Sequence, residues 1–176
     1  MDETKILARL VEDLRTLTLA ESGSLQLRKE VTDLDMLVRE TMAAFQTQAN
    51  SKGVSLTADI SEGLPWIDLD PGRIRQVISS IVAIALRYTP PGGTISVIYR
   101  QVDDQALLKV QDTGPGISAE DLPFVFERFY KSTDSGGMGL GLAIARHLVE
   151  VHGGKIIAES DSGQGTSISL TLPLRD

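Results

Sequence analysis

The sequence predicts an α/β fold, a two-layer sandwich in which a mixed, mainly antiparallel sheet is covered by helices on one face and preceded by an N-terminal helix. Three observations carry this. Segments that alternate apolar and polar residues come in pairs, segments of helical periodicity separate the pairs, and a leucine seam precedes them all.

From Glu3 to Leu19, Leu7, Leu10, Leu14 and Leu17 recur with 3-4-3 spacing and charged residues fill the other faces, as in a helix that packs on another helix. Glu21-Ser-Gly-Ser24 breaks the pattern, which places a domain boundary near residues 22–25. Leu25 to Lys29 is expected as a short strand. Asp33 is an N-cap for a helix from Leu34 to about Ala49, stopping near Asn50-Ser-Lys-Gly53. Val54 to Ile60 alternates as a half-buried strand, and Trp66 to Leu69 is a short extended piece. Asp70-Pro71 sets a capping side chain before a proline at the first helical position, so a helix runs from Pro71 to about Tyr88. Pro90-Pro-Gly-Gly93 ends it. Thr94 to Arg100 and Ala106 to Gln111 form an antiparallel hairpin, with a loop longer than the tightest turns. After a glycine-rich stretch, Met138 to Val151 is expected as helix and His152-Gly-Gly154 as its stop. A histidine there suits the helix dipole when it carries partial positive charge, and a surface or packing role is its ordinary explanation. Lys155 to Ser160 and Thr166 to Leu172 form a last hairpin.

With 176 residues, 41% of them hydrophobic and 23% charged, the chain can bury one substantial core plus an appendage. A formal charge of -7 argues against a nucleic-acid surface, which needs a basic footprint. Zero cysteines exclude disulfides, thiolate metal sites and a cysteine nucleophile, and two histidines cannot build a multi-histidine metal centre. No apolar run reaches the roughly 18–20 residues that span a bilayer. A cytoplasmic location is expected, with a longer parent able to carry an anchor.

The stretch from Gln111 to Leu142 holds two glycine-dense turns, Asp112-Thr-Gly114-Pro-Gly116 and Gly136-Gly-Met-Gly-Leu-Gly141-Leu142, around the aromatic run Phe124-Val-Phe-Glu-Arg-Phe-Tyr130. Six glycines so close together suggest positive φ or close backbone approach. The second cluster leads into a helix, whose unpaired first amides and partial positive charge favour an anion. The aromatic residues are expected to be mostly core, anchoring the ends of a loop.

The order of Asp112-x-Gly-x-Gly116, Phe124-x-Phe-x-x-Phe129-Tyr130 and Gly137-x-Gly-x-Gly141-Leu142, downstream of a helix ending Leu86-Arg-Tyr-Thr-Pro90, resembles the catalytic ATP-binding domain of sensor histidine kinases. Arg9 through Gly23 is similar to the second helix of the dimerisation domain that precedes it. The likeness divides the chain into a partial dimerisation helix at residues 1–23 and an ATP-binding catalytic domain at 24–176. It implies that Asp112 accepts from the adenine amino group, that Gly114 and Gly116 lie at backbone-approach positions, and that Tyr88 covers the base. Gly137, Gly139, Leu140, Gly141 and Leu142 would line the phosphates, with Arg87 and Lys131 as cationic contacts. The implied cofactors are ATP and Mg²⁺, and the implied partners are a response regulator and a second copy of the parent. The lid at Lys131-Ser-Thr-Asp-Ser135 is short and poor in cations for this family.

Two departures stand out. The family carries two asparagines, four residues apart, on the helix ending at Tyr88, the second giving an oxygen to Mg²⁺. Here those positions are Ser80, a weak metal ligand, and Ile84, which offers only methyl groups. The family also phosphorylates a histidine on the first dimerisation helix. Neither His147 nor His152 lies in such a motif, so the phosphoacceptor is expected from the parent chain or from a separate protein. Two readings follow, a kinase catalytic fragment and a degenerate ATPase-fold module acting as a protein-interaction element.

Overall fold

The structure is a computed structural model, and it describes residues 3–130 and 139–174, without the side chains of 3–6, 9, 10, 20 and 21. Its elements in chain order are α1 (Glu3–Glu21), β1 (Glu30–Thr32), α2 (Leu34–Lys52), β2 (Ser55–Ile60), β3 (Ile67–Leu69), α3 (Pro71–Tyr88), β4 (Thr94–Val102), β5 (Gln105–Asp112), α4 (Gly141–Val151), β6 (Lys155–Asp161) and β7 (Gly165–Pro173). A 3-10 turn spans Leu122–Phe124.

Five strands form one sheet in the order β2-β4-β5-β7-β6, with β2 and β4 parallel and the other pairs antiparallel. β1 and β3 form a separate antiparallel ribbon. This is the mixed, mainly antiparallel sheet expected. Alternation places Val97, Val110 and Ile168 in one row across the sheet, and Tyr99, Leu108 and Leu170 in the next. All six are buried. Facing them are Leu37, Val38 and Met42 of α2, Ile74, Val77, Ile78, Ile81 and Ala85 of α3, and Ile144, Leu148 and Val149 of α4, one continuous core. Each of the valine, leucine, isoleucine and methionine side chains contributes about 1.5–3 kcal/mol on burial.

The local signals act as the sequence implies. Asp33 accepts from the Met36 N–H at 3.2 Å to cap α2, and Gly53 ends that helix at φ 71. Asp70 accepts from the Arg73 N–H at 3.1 Å to cap α3, with Pro71 behind it.

Five expectations need correction. Residues 25–29 are not strand; β1 begins at Glu30, opposite Leu69, because the Arg28 N–H is taken by Asp70 Oδ2 at 2.9 Å. The β4–β5 connection is a two-residue turn, with Val102 opposite Gln105. Asp103 adopts φ 52, a left-handed conformation that aspartate tolerates, so the tightest loop closes without glycine. α4 starts at Gly141, not Met138, since Gly139 sits at φ 69. The aromatic run is not core: Phe124 is 50% and Phe129 61% exposed, Tyr130 is half-buried, and Phe126 only borders the core. Phe129 stands at φ 60, which breaks any helical face the run could present. His152 is buried and neutral rather than partly charged: Nδ1 donates to the Leu148 carbonyl at 2.6 Å and Nε2 accepts the Asp70 N–H at 3.1 Å.

α1 seats its C-terminal half on the domain. Thr16 and Leu17 are buried, and Arg73 Nη1 donates to Thr16 Oγ1 at 3.3 Å. Further up, Leu7, Val11 and Leu14 are exposed. No helix among the described residues is long and apolar enough to cross a membrane.

Candidate nucleotide site

β5 ends in Asp112, a residue 8% exposed. Its Oδ1 accepts from the Gly114 N–H at 2.8 Å and from the Thr166 N–H at 3.3 Å. Burial pushes the Asp112 carboxyl above its ordinary range, and the two amides pull it partly back. Both bonds fall on Oδ1. Among the described residues Oδ2 takes none, which leaves an acceptor for a ligand.

The backbone around this carboxylate is packed too closely for side chains. A Cβ on Gly114 would lie 2.8 Å from Asp112 Oδ1 and 3.3 Å from the Tyr88 carbonyl, so the turn sits against the end of α3. A Cβ on Gly165, at φ +89, would lie 2.0 Å from the Asp112 carbonyl oxygen. Gly116 approaches the β6–β7 hairpin, where its Cβ would meet the Asp161 carbonyl at 2.2 Å. Tyr88, half-buried, and Arg87, exposed, close α3 on this side.

The other wall is the start of α4. Its first internal bond is from the Ile144 N–H to the Leu140 carbonyl at 2.9 Å. Leu140, at the N-cap, has no side-chain oxygen to offer, and the first turn holds no acidic residue. The N–H groups of Gly141, Leu142 and Ala143 therefore have no helical acceptor, and among the described residues no other partner. A Cβ on Gly141 would stand 3.8 Å from Ser80 Cβ and 3.9 Å from Ser80 Oγ, and 3.8 Å from Ile84 Cδ1. Ser80 and Ile84, one turn apart on α3, thus face the open amide end of α4. Gly139 is fixed by its neighbours: its carbonyl accepts the Phe129 N–H at 2.9 Å, and a Cβ on it would lie 2.5 Å from the Tyr130 carbonyl. Lys131, Gly137 and the lid at 131–135 lie outside the described residues.

The structure brings Asp112, Gly114 and Tyr88 together at one end, and Gly141 with Ser80 and Ile84 at the other. Three contributors were not read from the sequence. Thr166 acts through its backbone amide, Gly165 through the space it leaves, and Lys52 caps α3 by donating from Nζ to the carbonyls of Leu86 and Arg87. Gly165 and Thr166 fall together in the Gly163-Gln-Gly165-Thr166 turn of the last hairpin, whereas nothing in the sequence marks Lys52.

Mg²⁺ takes near-octahedral oxygen ligands and usually one or two carboxylates. The atoms nearest a Gly141 Cβ belong to Ser80 and Ile84, and the oxygen they offer is one hydroxyl, next to a methyl group. Among the described residues no group of three or more histidine, aspartate or glutamate side chains could hold a metal. These residues do not fit the ion.

The family described as "Histidine kinase-, DNA gyrase B-, and HSP90-like ATPase" matches residues 69–176. Sensor protein SrrB of Staphylococcus aureus (strain NCTC 8325 / PS 47) is 34% identical over 178 residues, covering 98% of this chain and 30% of that protein. The signal transduction histidine-protein kinase BaeS of Escherichia coli (strain K12) is 35% identical over 177 residues, covering 98% of this chain and 38% of the relative. The chain thus spans about a third of the length of these relatives. Among solved structures, Acinetobacter baumannii histidine kinase AdeS superposes with a TM-score of 0.82 at 27% identity, covering 97% of this chain and 80% of that one. Full-length ShkA, solved in complex with AMPPNP, superposes with a TM-score of 0.87 at 29% identity, covering 95% of this chain and 35% of that one. The chain belongs to the histidine kinase-, DNA gyrase B- and HSP90-like ATPase family, and within it is similar to the ATP-binding domains of sensor histidine kinases.

Proposed function

We propose that the cleft between the end of β5 and the start of α4 binds ATP, and that its γ-phosphoryl group passes to a histidine outside this chain. One observation carries the reading. A buried carboxylate whose Oδ2 takes no hydrogen bond among the described residues and a helix N-terminus with no capping side chain both lie against the second half of α3, matching the amino group and the phosphates of one ligand. In this assignment Asp112 orients adenine and Tyr88 covers it. Gly114 and Gly116 shape the turn, and the amides from Gly139 to Leu142 meet the phosphates with Arg87 alongside. Lys131 and Gly137 would complete the phosphate side.

Residues 1–23 are assigned to a dimerisation helix and 24–176 to the catalytic domain. The exposed Leu7, Val11 and Leu14 of α1 offer apolar surface for a second copy in the parent protein. The phosphoacceptor helix belongs to that parent or to a separate protein, a response regulator receives the phosphoryl group, and the domain works in the cytoplasm, where ATP is. Calorimetric titration with a non-hydrolysable ATP analogue tests the binding. Absence of binding at millimolar nucleotide defeats it. Transfer is tested by adding a dimerisation domain and γ-labelled ATP and reading label on its histidine.

A second reading is favoured by Ile84, which stands where a metal would need oxygen. On that reading the domain binds nucleotide weakly without transferring phosphate, and serves as a protein-interaction element.

A further inference from the structure

We infer that this cleft binds adenine nucleotide without a coordinated divalent cation, the phosphate charge being met by the amides of α4 rather than by a metal. The inference rests on the nucleotide-binding reading above and concerns what neutralises the ligand there. The relevant wall is built from α3 and α4. On α4, the N–H groups of Gly141, Leu142 and Ala143 have no helical acceptor, and among the described residues no capping side chain competes for them and no first-turn carboxylate opposes the helix dipole. Such a helix start suits an anion.

On α3, the groups facing it are Ser80 and Ile84, whose atoms lie 3.8–3.9 Å from the position of a Gly141 Cβ. A magnesium ion between phosphate and α3 would gain at most one hydroxyl ligand. It would also be held against isoleucine methyl groups, where the water ligands it retains lose hydrogen-bond partners. Asp112 cannot substitute. Its Oδ1 is committed to Gly114 and Thr166, and its turn packs on the Tyr88 end of α3 rather than on Ser80. The arrangement therefore favours phosphate oxygens on bare amides and offers a metal no more than the Ser80 hydroxyl.

Two consequences follow. Affinity is insensitive to Mg²⁺, and the terminal phosphate, with no metal bridging it to the protein, contributes little, so ADP and ATP bind alike. The test is calorimetric titration of the chain with ATP and with ADP, in excess Mg²⁺ and again in EDTA. The expected result is four affinities within about threefold of one another. A loss of tenfold or more on chelation overturns the inference and leaves the nucleotide-binding reading intact. No binding under any condition overturns both. The variant Ile84→Asn supplies an amide oxygen at the same place. With its fold checked by thermal melting, it is expected to gain roughly tenfold in ATP affinity in Mg²⁺ and little in EDTA. An Ile84→Asn protein that remains indifferent to Mg²⁺ shows that this position does not exclude the metal, and overturns the assignment.

Discussion

His152 Nε2 accepts the backbone N–H of Asp70 at 3.1 Å, so the stop of α4 is bonded to the N-cap residue of α3, 82 positions earlier. The same aspartate uses Oδ1 to cap α3 and Oδ2 to hold the Arg28 N–H. One buried residue thus ties the link after α1 to the two helices that wall the candidate site.

This geometry predicts a pH dependence of stability. Burial lowers the His152 pKa from its ordinary 6.5; the Leu148 carbonyl and the Asp70 charge raise it, and Lys29 lowers it. The unfolded chain therefore binds the proton more readily than the folded one. The stability held by neutral His152 is full above pH 6.5 and is lost as pH falls from there through the folded-state value. Denaturant unfolding at stepped pH should show this slope. His152→Phe should remove it and, by orphaning the Asp70 N–H, cost about 1–3 kcal/mol at neutral pH.

Asp112→Asn separates fold from ligand. The amide oxygen can keep both bonds from Gly114 and Thr166, so the turn survives. The folded-state pKa of Asp112 is raised above 3.8, so its contribution to stability falls as pH rises through 3.8 towards the folded-state value, and the carboxylate opposes folding at neutral pH. Its replacement should leave the melting temperature equal or higher and flatten that acid-side slope. Nucleotide affinity should drop about tenfold or more, because an amide N–H₂ then faces the donor of the base. Melting curves and titration read the two effects separately.

Two glycines that look alike in sequence should behave oppositely. Gly165→Ala forces a Cβ to 2.0 Å from a backbone carbonyl at φ +89, which neither partner can relieve, and should cost about 3 kcal/mol or more. Gly141→Ala meets only ordinary contacts at 3.8 Å in a helical conformation. It should leave stability unchanged or raise it by up to about 1 kcal/mol while cutting nucleotide affinity about tenfold, since the methyl occupies the phosphate side.

How legible these features were depends on whether they are written in side chains. α3 matched its expected bounds because Asp70, Pro71 and a clean apolar stripe mark it throughout. α4 was misplaced by three residues at its start because Leu140 is no capping residue, and an uncapped helix leaves no mark. The same lack of a capping side chain leaves the first amides of α4 open among the described residues. Asp112 and Gly114 could be read from their local motif, whereas the second bond to Asp112 comes from a backbone amide 54 residues away, which no side chain encodes. Gly116 shows the limit of reading glycine alone: the close approach it permits is to the Asp161 carbonyl of its own chain. The β4–β5 turn was read as long because neither Asp103 nor Asp104 is glycine, and Asp103 takes the left-handed conformation regardless.

Tyr99 offers a test of the core that does not touch the site. It is fully buried at the centre of β4, and its hydroxyl makes no hydrogen bond among the described residues. Burial, together with the charges of Asp33 and Asp35 at the start of α2, pushes its pKa up to about 12, so the phenol stays neutral across the working range. A buried hydroxyl without a partner carries a desolvation cost of about 1–3 kcal/mol. Tyr99→Phe removes that cost and keeps the ring packed between its neighbours on β2 and β5. Stability should rise by about 1 kcal/mol, or at least not fall, in denaturant unfolding monitored by circular dichroism, with nucleotide affinity unchanged. A loss of 1 kcal/mol or more would mean that the hydroxyl has a partner, and that the α2 end of the core is polar rather than dry.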